Sequence, residues 1–535
     1  MEVGTGMGVA AQAPAPVPST PVATATLTTT AATTTTITDP TVLIDAFFHH
    51  VHRAYPFIDE ERIRNASLEG RVDGVLDSQD PDAIILFMIM VIGYTSLQRS
   101  GQAPPGLPAS FTFAVPYATI LQRCIMHESL DSIQILVLLT LYSLFDACGP
   151  SPWSLVGIIT RQAQAQGLTR APPPSERLTP KAIELRRRLF WSIYGLDRMV
   201  SVSVGSYPGF RIGAETDIDI TTEIPLPAIT VAEFASPHRA EHASMLQVTR
   251  HVIDLRCLEA RILSTIHLQR KTALATLTLT DRNTLASNLR AQIENWYSHG
   301  CLIARPELDN VRLHDTLGWL NARYYHLLLL LYYPCAFNAR GALPSSLHRQ
   351  QTHGQGQDQA TALLQLVRKF TQYNRLLLAY RQLPLNRVTL SRLFPACLVL
   401  LYCVGRGVSP FSAHTEARAL VEILESFSES WHHAQRLARI LAGVSDLVTT
   451  AHHGDASDKE GGLRSLRAEL VGLTDEALGR SNCYQDMEDW NSDSSSYWEG
   501  VAGAAGVSYT RAEDESPNMT VLSEHEASMF ACSFL

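Results

Sequence analysis

The stretch from Thr179 to Pro227 constrains the fold more than any other. Thr179 followed by Pro180 is a helix start, because a threonine hydroxyl accepts from the first free N–H groups and proline needs no donor at the first helical position. Ile183, Leu189, Trp191, Ile193, Tyr194, Leu196 and Val200 then recur too densely for one narrow stripe. That density predicts a helix buried on most sides. Gly205 and Pro208 end it. Behind it, Asp217 and Asp219 alternate with Ile218 and Ile220 in an extended acidic segment that closes on Pro225 and Pro227.

Helical text continues on both sides. Asp39 and Pro40 open a helix as cap and first residue, and Tyr55-Pro56-Phe57 closes it. Ala83 to Tyr94 and Pro116 to His127 follow, then a face of Ile133, Leu136, Val137, Leu141 and Leu144. Ser151 and Pro152 start another helix that Gly167 ends, with Gly157, Ala163 and Ala165 small enough for close helix approach. After Pro227 the helical spans are Met245 to Leu268, Arg282 to Tyr297, Leu317 to Tyr333, Ala360 to Tyr380, Leu390 to Val404 and Thr415 to Leu441. The Gln- and Gly-rich Ser345 to Asp358 reads as a loop, and no strand alternation of any length intervenes. The fold class is therefore all-α: one large multi-helix domain over 40–450.

Two flanks differ in composition. Residues 1–39 are Ala-, Pro- and Thr-rich with almost no charge, and have too few large apolar groups to offset ordering entropy, which predicts a disordered tail. From 451 to 535 a second tail is expected. Within it Asn482 to Glu499 holds five acids and no Lys or Arg, interleaved with Tyr484, Met487, Trp490, Tyr497 and Trp498. Acid alternating with aromatic residues is the composition of an activation segment, in which charge keeps aromatic groups in water until a partner groove buries them.

With 535 residues the chain can bury a large core, and its formal charge of −9 argues against a wide nucleic-acid surface, since phosphate binding needs Lys and Arg. The nine cysteines are scattered, odd in number and without a CxxC, which suits a reduced compartment. The longest apolar runs, such as Ala83 to Ile92 and Ala396 to Val404, read as core helices rather than membrane spans.

The common enzyme signatures are missing from the sequence. The sequence has no GxSxG elbow, no HExxH, no GxxxxGK[ST] and no Asp-Asp pair for a magnesium site. Asp45, His49 and His52 can share a helix face, but three ligands without a fourth do not make a zinc site. His432-His433 reads as a pair on a solvated face. Arg186, Arg187 and Arg188 span most of a turn and cannot all enter one groove. A Glu184–Arg188 pair with the stems on apolar surface is the expectation. Asp197 and Arg198 lie deep in apolar text, where a buried pair tying this helix to another is expected.

Taken in order, Arg186-Arg187-Arg188, Leu189-Phe190-Trp191, Asp197-Arg198, Gly205 with Pro208, the acidic run through Asp219, and Pro225 resemble the fungal-specific transcription factor domain. This is the middle homology region of zinc binuclear cluster regulators of the xylanolytic-activator type. A second block is similar to the family too: Trp153, Gly157, Arg161, Ala163 and Gly167-Leu168-Thr169-Arg170. A third is Tyr325, His326, Leu327 to Leu331, Tyr333 and Pro334, with Tyr333 where the family often has Arg. The resemblance implies a nuclear regulator of RNA polymerase II genes, such as those of a metabolic or biosynthetic cluster. It implies structural roles for Trp153, Arg188, Trp191, Asp197, Arg198 and Asp219, and partners in the transcription machinery, a coactivator or a DNA-binding protein, with room for a small-molecule effector. The family's six-cysteine cluster has no counterpart, as no cysteine precedes Cys124. Direct DNA contact is thus expected from a partner or from a zinc-cluster module outside these residues, and zinc only with such a module. No cofactor and no catalytic role are expected of this chain. The rival reading is an all-α enzyme or small-molecule binding protein.

Overall fold

The computed structural model describes residues 25–28, 34–37, 40–69, 80–100, 113–210, 224–303, 317–338, 353–449, 456–485 and 487. Its helices are α1 (Thr41–His50), α2 (Glu60–Leu68), α3 (Pro81–Ser100), α4 (Tyr117–Met126), α5 (Leu130–Ser143), α6 (Pro152–Ala165), α7 (Pro180–Val204), α8 (Val231–Ala235) and α9 (Arg239–Ile262). They continue with α10 (Lys271–Thr276), α11 (Leu279–Ile303), α12 (Leu317–Leu331), α13 (His353–Ala379), α14 (Arg387–Gly405), α15 (Pro410–Glu425), α16 (His432–Thr449) and α17 (Ala456–Leu478). Ahead of them the strands β1 (Ala25–Thr28) and β2 (Thr34–Ile37) pair antiparallel in a two-stranded ribbon, the described part of the expected N-terminal tail. The all-α class holds.

Two helices organise the rest. α7 packs on α6, α9 and α14, while α14 packs on α7, α13, α15, α16 and α17. Their contact joins the N-terminal and C-terminal halves, and one apolar core runs from Leu43 to Tyr484. α7 starts and stops where the sequence says. The Thr179 hydroxyl accepts from Ala182 N at 3.2 Å, Pro180 sits at the first position, and Gly205 closes it with φ +64°. By length and composition α3 and α14 could each cross a membrane, yet most of each is buried inside the protein, as core helices should be.

Several boundaries move. α1 begins after Pro40, which takes the cap position itself, and ends at His50. The span from Thr415 to Leu441 is two helices, because the chain turns through Ser426 to Trp431 and packs α15 back on α16. α13 begins at His353, inside the expected loop. Gly157 makes no close helix contact, Ala165 is exposed, and the tight approach to α6 comes from Gly209, where a Cβ would lie 2.6 Å from Thr160 Oγ1. The largest correction is at the C-terminus, where the domain does not stop at 450. α17 packs on α14 and α16, burying Leu470 and Leu473 completely, and Tyr484 is 1% exposed. Its apolar residues are too few to announce a core helix, but they meet a face that α14 and α16 leave open.

Candidate functional site

The residues singled out in α7 are consumed in three locks along one helix. At its N-terminal half, the buried Arg188 guanidinium donates through Nε to Glu184 Oε1 at 3.1 Å. It also forks onto both carboxylate oxygens of Glu233 at 2.8 Å each and onto the Ala228 carbonyl at 2.9 Å. Glu184 accepts in turn from Ala228 N and from Arg187. Arg186 donates to the Gln166 carbonyl. The expected Glu184–Arg188 pair is therefore present, as part of a larger clamp. Glu233 is also the third residue of a capping box, with Thr230 as cap of α8. Burial alone would raise its carboxyl, but Arg188 and the Thr230 donors outweigh that and hold it at about 2. The Thr230-x-x-Glu233 spacing is itself a capping-box signature in the sequence.

In the middle, the Trp191 indole N–H donates to the Pro225 carbonyl at 2.9 Å, fastening the far end of the acidic segment to α7. Asp219 itself lies outside the described residues. Further on, Asp197 and Arg198 form the expected buried pair at 2.5 Å, but they do not tie α7 to another helix. Asp197 accepts from Gly209 N at 2.8 Å and Phe210 N at 3.1 Å, and Arg198 donates to the Phe210 carbonyl at 3.0 Å. The pair satisfies the backbone of the reversal that follows α7, where exposed polar groups would otherwise be buried unpaired. Burial pushes the Asp197 carboxyl up, against the pull of Arg198 and the two N–H donors.

A third lock involves the C-terminal residues. The Tyr484 hydroxyl donates to the Val202 carbonyl at 2.5 Å, the Tyr333 hydroxyl donates to the Tyr484 carbonyl, and Cys483 N donates to the Gly205 carbonyl at 3.0 Å. Tyr333, the departure from the resembled pattern just after α12, thus holds the C-terminal segment. Tyr484, expected in the exposed acidic and aromatic stretch, is instead core. Trp490, Tyr497 and Trp498 lie outside the described residues.

Below these locks, Glu259 is fully buried and accepts from Arg256 Nη1 at 2.6 Å and Arg392 Nη2 at 3.2 Å, with His326 Nδ1 3.9 Å away. This bridge joins α9, α12 and α14. Burial would raise the Glu259 carboxyl, and the two arginines more than reverse it. Nothing in the sequence marked these residues except charges placed on apolar helix faces.

A cleft of about 930 Å³ opens between α1, α2, α7, α8 and α9. Its charged lining is mostly committed to itself: Arg64 with Asp45 at 2.9 Å and Glu60 at 2.7 Å, Lys181 with Asp59 at 2.9 Å, and Arg188 with Glu233. His52 does not share a helix face with His49 and Asp45. It lies beyond the end of α1, is buried, and pairs through Nε2 with the Ile58 carbonyl at 2.9 Å. Among the described residues no three His, Cys, Asp or Glu side chains converge as metal ligands. Trp153 is 46% exposed at the start of α6, and His433 is only part-exposed, against the solvated face expected of it.

A family model described as the fungal specific transcription factor domain matches residues 44–298. Protein STB5 of Saccharomyces cerevisiae is 29% identical over 471 residues, which are 84% of this chain and 58% of that protein. The "Negative regulator of pleiotropic drug resistance STB5" of Candida glabrata is 28% identical over 272 residues, 48% of this chain and 25% of that one. The "C6 finger domain transcription factor hasF" of Aspergillus fumigatus is 25% identical over 221 residues, 39% of this chain and 28% of that one. The chain spans less than three fifths of the length of these relatives. No solved structure matches it significantly.

Proposed function

We propose that this chain, which carries a fungal specific transcription factor domain over residues 44–298, is a nuclear regulator of genes transcribed by RNA polymerase II. The observation that carries the reading is that domain match. The geometry supports it, because the motif residues of α7 hold backbone and carboxylates in place and none stands poised toward a substrate. The domain, packed around one apolar core, is the regulatory body. DNA contact comes from a partner or from a zinc-cluster module outside these residues, since net charge −9 suits neither phosphate neutralisation nor a wide basic face. The acidic and aromatic residues after Tyr484 recruit a coactivator. Whether the chain raises or lowers transcription follows from what they recruit. One relative is named a negative regulator, so repression is the second form of the same reading.

The test is to fuse the chain to an unrelated DNA-binding domain and place it upstream of a reporter in a fungal host, with a fluorescent tag for location. A reporter change in either direction and nuclear signal are expected. The isolated chain should bind duplex DNA only weakly and lose that binding as salt rises. Sequence-specific nanomolar binding by the chain alone, or a silent reporter with the fusion seated on its promoter, sinks the proposal.

A further inference from the structure

A smaller cavity lies at the opposite end of α7 from the charged cleft. It encloses about 180 Å³ and is lined by Val200, Ser203 and Val204 from the last turn of α7 and by the beginnings of three helices. These are Ser151, Pro152 and Trp153 of α6, Arg387 and Val388 of α14, and Trp431, His432 and His433 at α16.

Its electrostatics run against the rest of the molecule. The chain carries net charge −9, yet no Asp or Glu lines this cavity. Arg387 supplies a full positive charge from a half-buried position. Its Nε and Nη2 are spread over the carbonyls of Ser143, Asp146, Ala147 and Gly149 at 2.8–3.2 Å, so carbonyl oxygens orient it and do not cancel its charge. Two acids stand behind the wall, and one of them, Asp146, is close enough to act electrostatically on Arg387 and offset part of its field. Asp146 accepts from the Tyr117 hydroxyl at 2.8 Å and from Cys148 N at 2.9 Å, and Glu476 takes Arg436 at 2.6 Å, with His433 Nε2 3.5 Å away. The helix starts add partial positive charge of the same sign, and the Ser151 hydroxyl makes no capping bond that would occupy the first N–H groups of α6. The rest of the wall is mostly apolar and includes three aromatic side chains, Trp153, which is nearly half exposed, and the buried Trp431 and Phe394.

We propose that this cavity binds a small aromatic carboxylate, with the ring among Trp153, Trp431 and Phe394 and the carboxylate toward Arg387 and the helix starts. The volume fits, since a dry cavity of about 150 Å³ takes up benzene. The position gives binding a consequence. Val204 is followed by Gly205, which receives Cys483, and Ala477 belongs to the last turn of α17. An occupant therefore touches the two helix ends between which residues 482–485 are docked. Its use as an effector site rests on the regulatory reading above, but the binding does not, so the two fail separately.

The experiment titrates the full chain with benzoate, its neutral isostere benzamide, and inorganic phosphate, reading saturation-transfer NMR and calorimetry. Saturable benzoate binding is expected, with benzamide weaker by about tenfold, since a charge-assisted contact is roughly twice as strong as a neutral one. Phosphate, which brings no ring, should bind more weakly than benzoate. Ser391→Met fills the cavity from α14 and should abolish binding while the melting temperature stays near wild type. Should that variant not fold, the exposed His432→Glu provides the second arm, and should weaken benzoate without changing benzamide. Absence of saturable benzoate binding, equal affinity for benzamide, or benzoate binding untouched by both substitutions overturns the proposal.

Discussion

The backbone N–H of Cys483 donates to the carbonyl of Gly205 across 3.0 Å, so the end of α7 and the last described residues of the chain are one structure. Gly205 is needed there twice. Its φ of +64° is the left-handed conformation that a side chain resists, and a Cβ would lie 2.9 Å from Tyr484 Cε2 and 3.0 Å from Cys483 N.

Gly205→Ala should therefore cost about 1–2 kcal/mol from conformation alone and also push residues 482–485 off α7. Hydrogen exchange should rise at 479–485 before it rises in α14. Tyr484→Phe removes only the bond to the Val202 carbonyl and should cost about 1 kcal/mol with the segment still docked. Tyr484→Ala should cost about 3–5 kcal/mol. Equal protection in the Gly205→Ala and wild-type proteins contradicts the coupling.

Arg188 holds two carboxylates at once. Arg188→Ala leaves Glu233 without its cation and the buried Glu184 with Arg187 alone, and should lower stability by about 3–5 kcal/mol, seen as a shift in the denaturant midpoint. Arg188→Lys keeps the charge but not the fork onto Glu233, and should recover only part of the loss. A fully stable lysine variant shows that charge alone suffices.

Acid should weaken the protein before its carboxylates titrate. Burial lowers His52, His251 and His326 from the usual 6.5 to about 4 each. In the unfolded chain these imidazoles take up protons near 6.5, and in the folded protein not until about 4. Their contribution is complete above about pH 7, is lost progressively down to pH 4, and is level below that. Each contributes a slope of up to about 1.4 kcal/mol per pH unit. Urea midpoints at pH 7.5, 6 and 5 measure it, and His52→Gln with His326→Gln should flatten the decline. A midpoint independent of pH over that range refutes the neutral-histidine assignment.

Purified chain should hold no stoichiometric zinc, because its cysteines have no ligand spacing. Elemental analysis finding two metals per chain overturns that reading of the cysteines.

For the acidic segment, Trp490, Tyr497 and Trp498 replaced together by Ala should abolish activation by residues 482–499 fused to an unrelated DNA-binding domain. Each large aromatic group buries roughly 150–250 Å² on docking. Asp486→Asn with Asp493→Asn should weaken activation only partly, since exposed charges act mainly on encounter. Tyr484 is left intact in the triple variant because it belongs to the core. A triple variant as active as wild type ends the hypothesis.

The sequence by itself determined the class and the central helix. Thr179, Pro180 and Gly205 are local signals whose physics needs no distant partner, and apolar density alone reports burial on most sides of α7. The Glu184–Arg188 pair was legible for the same reason, being set by helix periodicity. What only the tertiary structure decided was the distant partner of each charge. Arg188 meets Glu233, Glu259 meets Arg392, and Asp197 meets Gly209 and Phe210 through chain reversals that no spacing rule fixes. The boundary at 450 failed on the same ground. α17 and Tyr484 look sparse and polar as text, and their burial depends on an apolar face that α7, α14 and α16 create only once they are packed together.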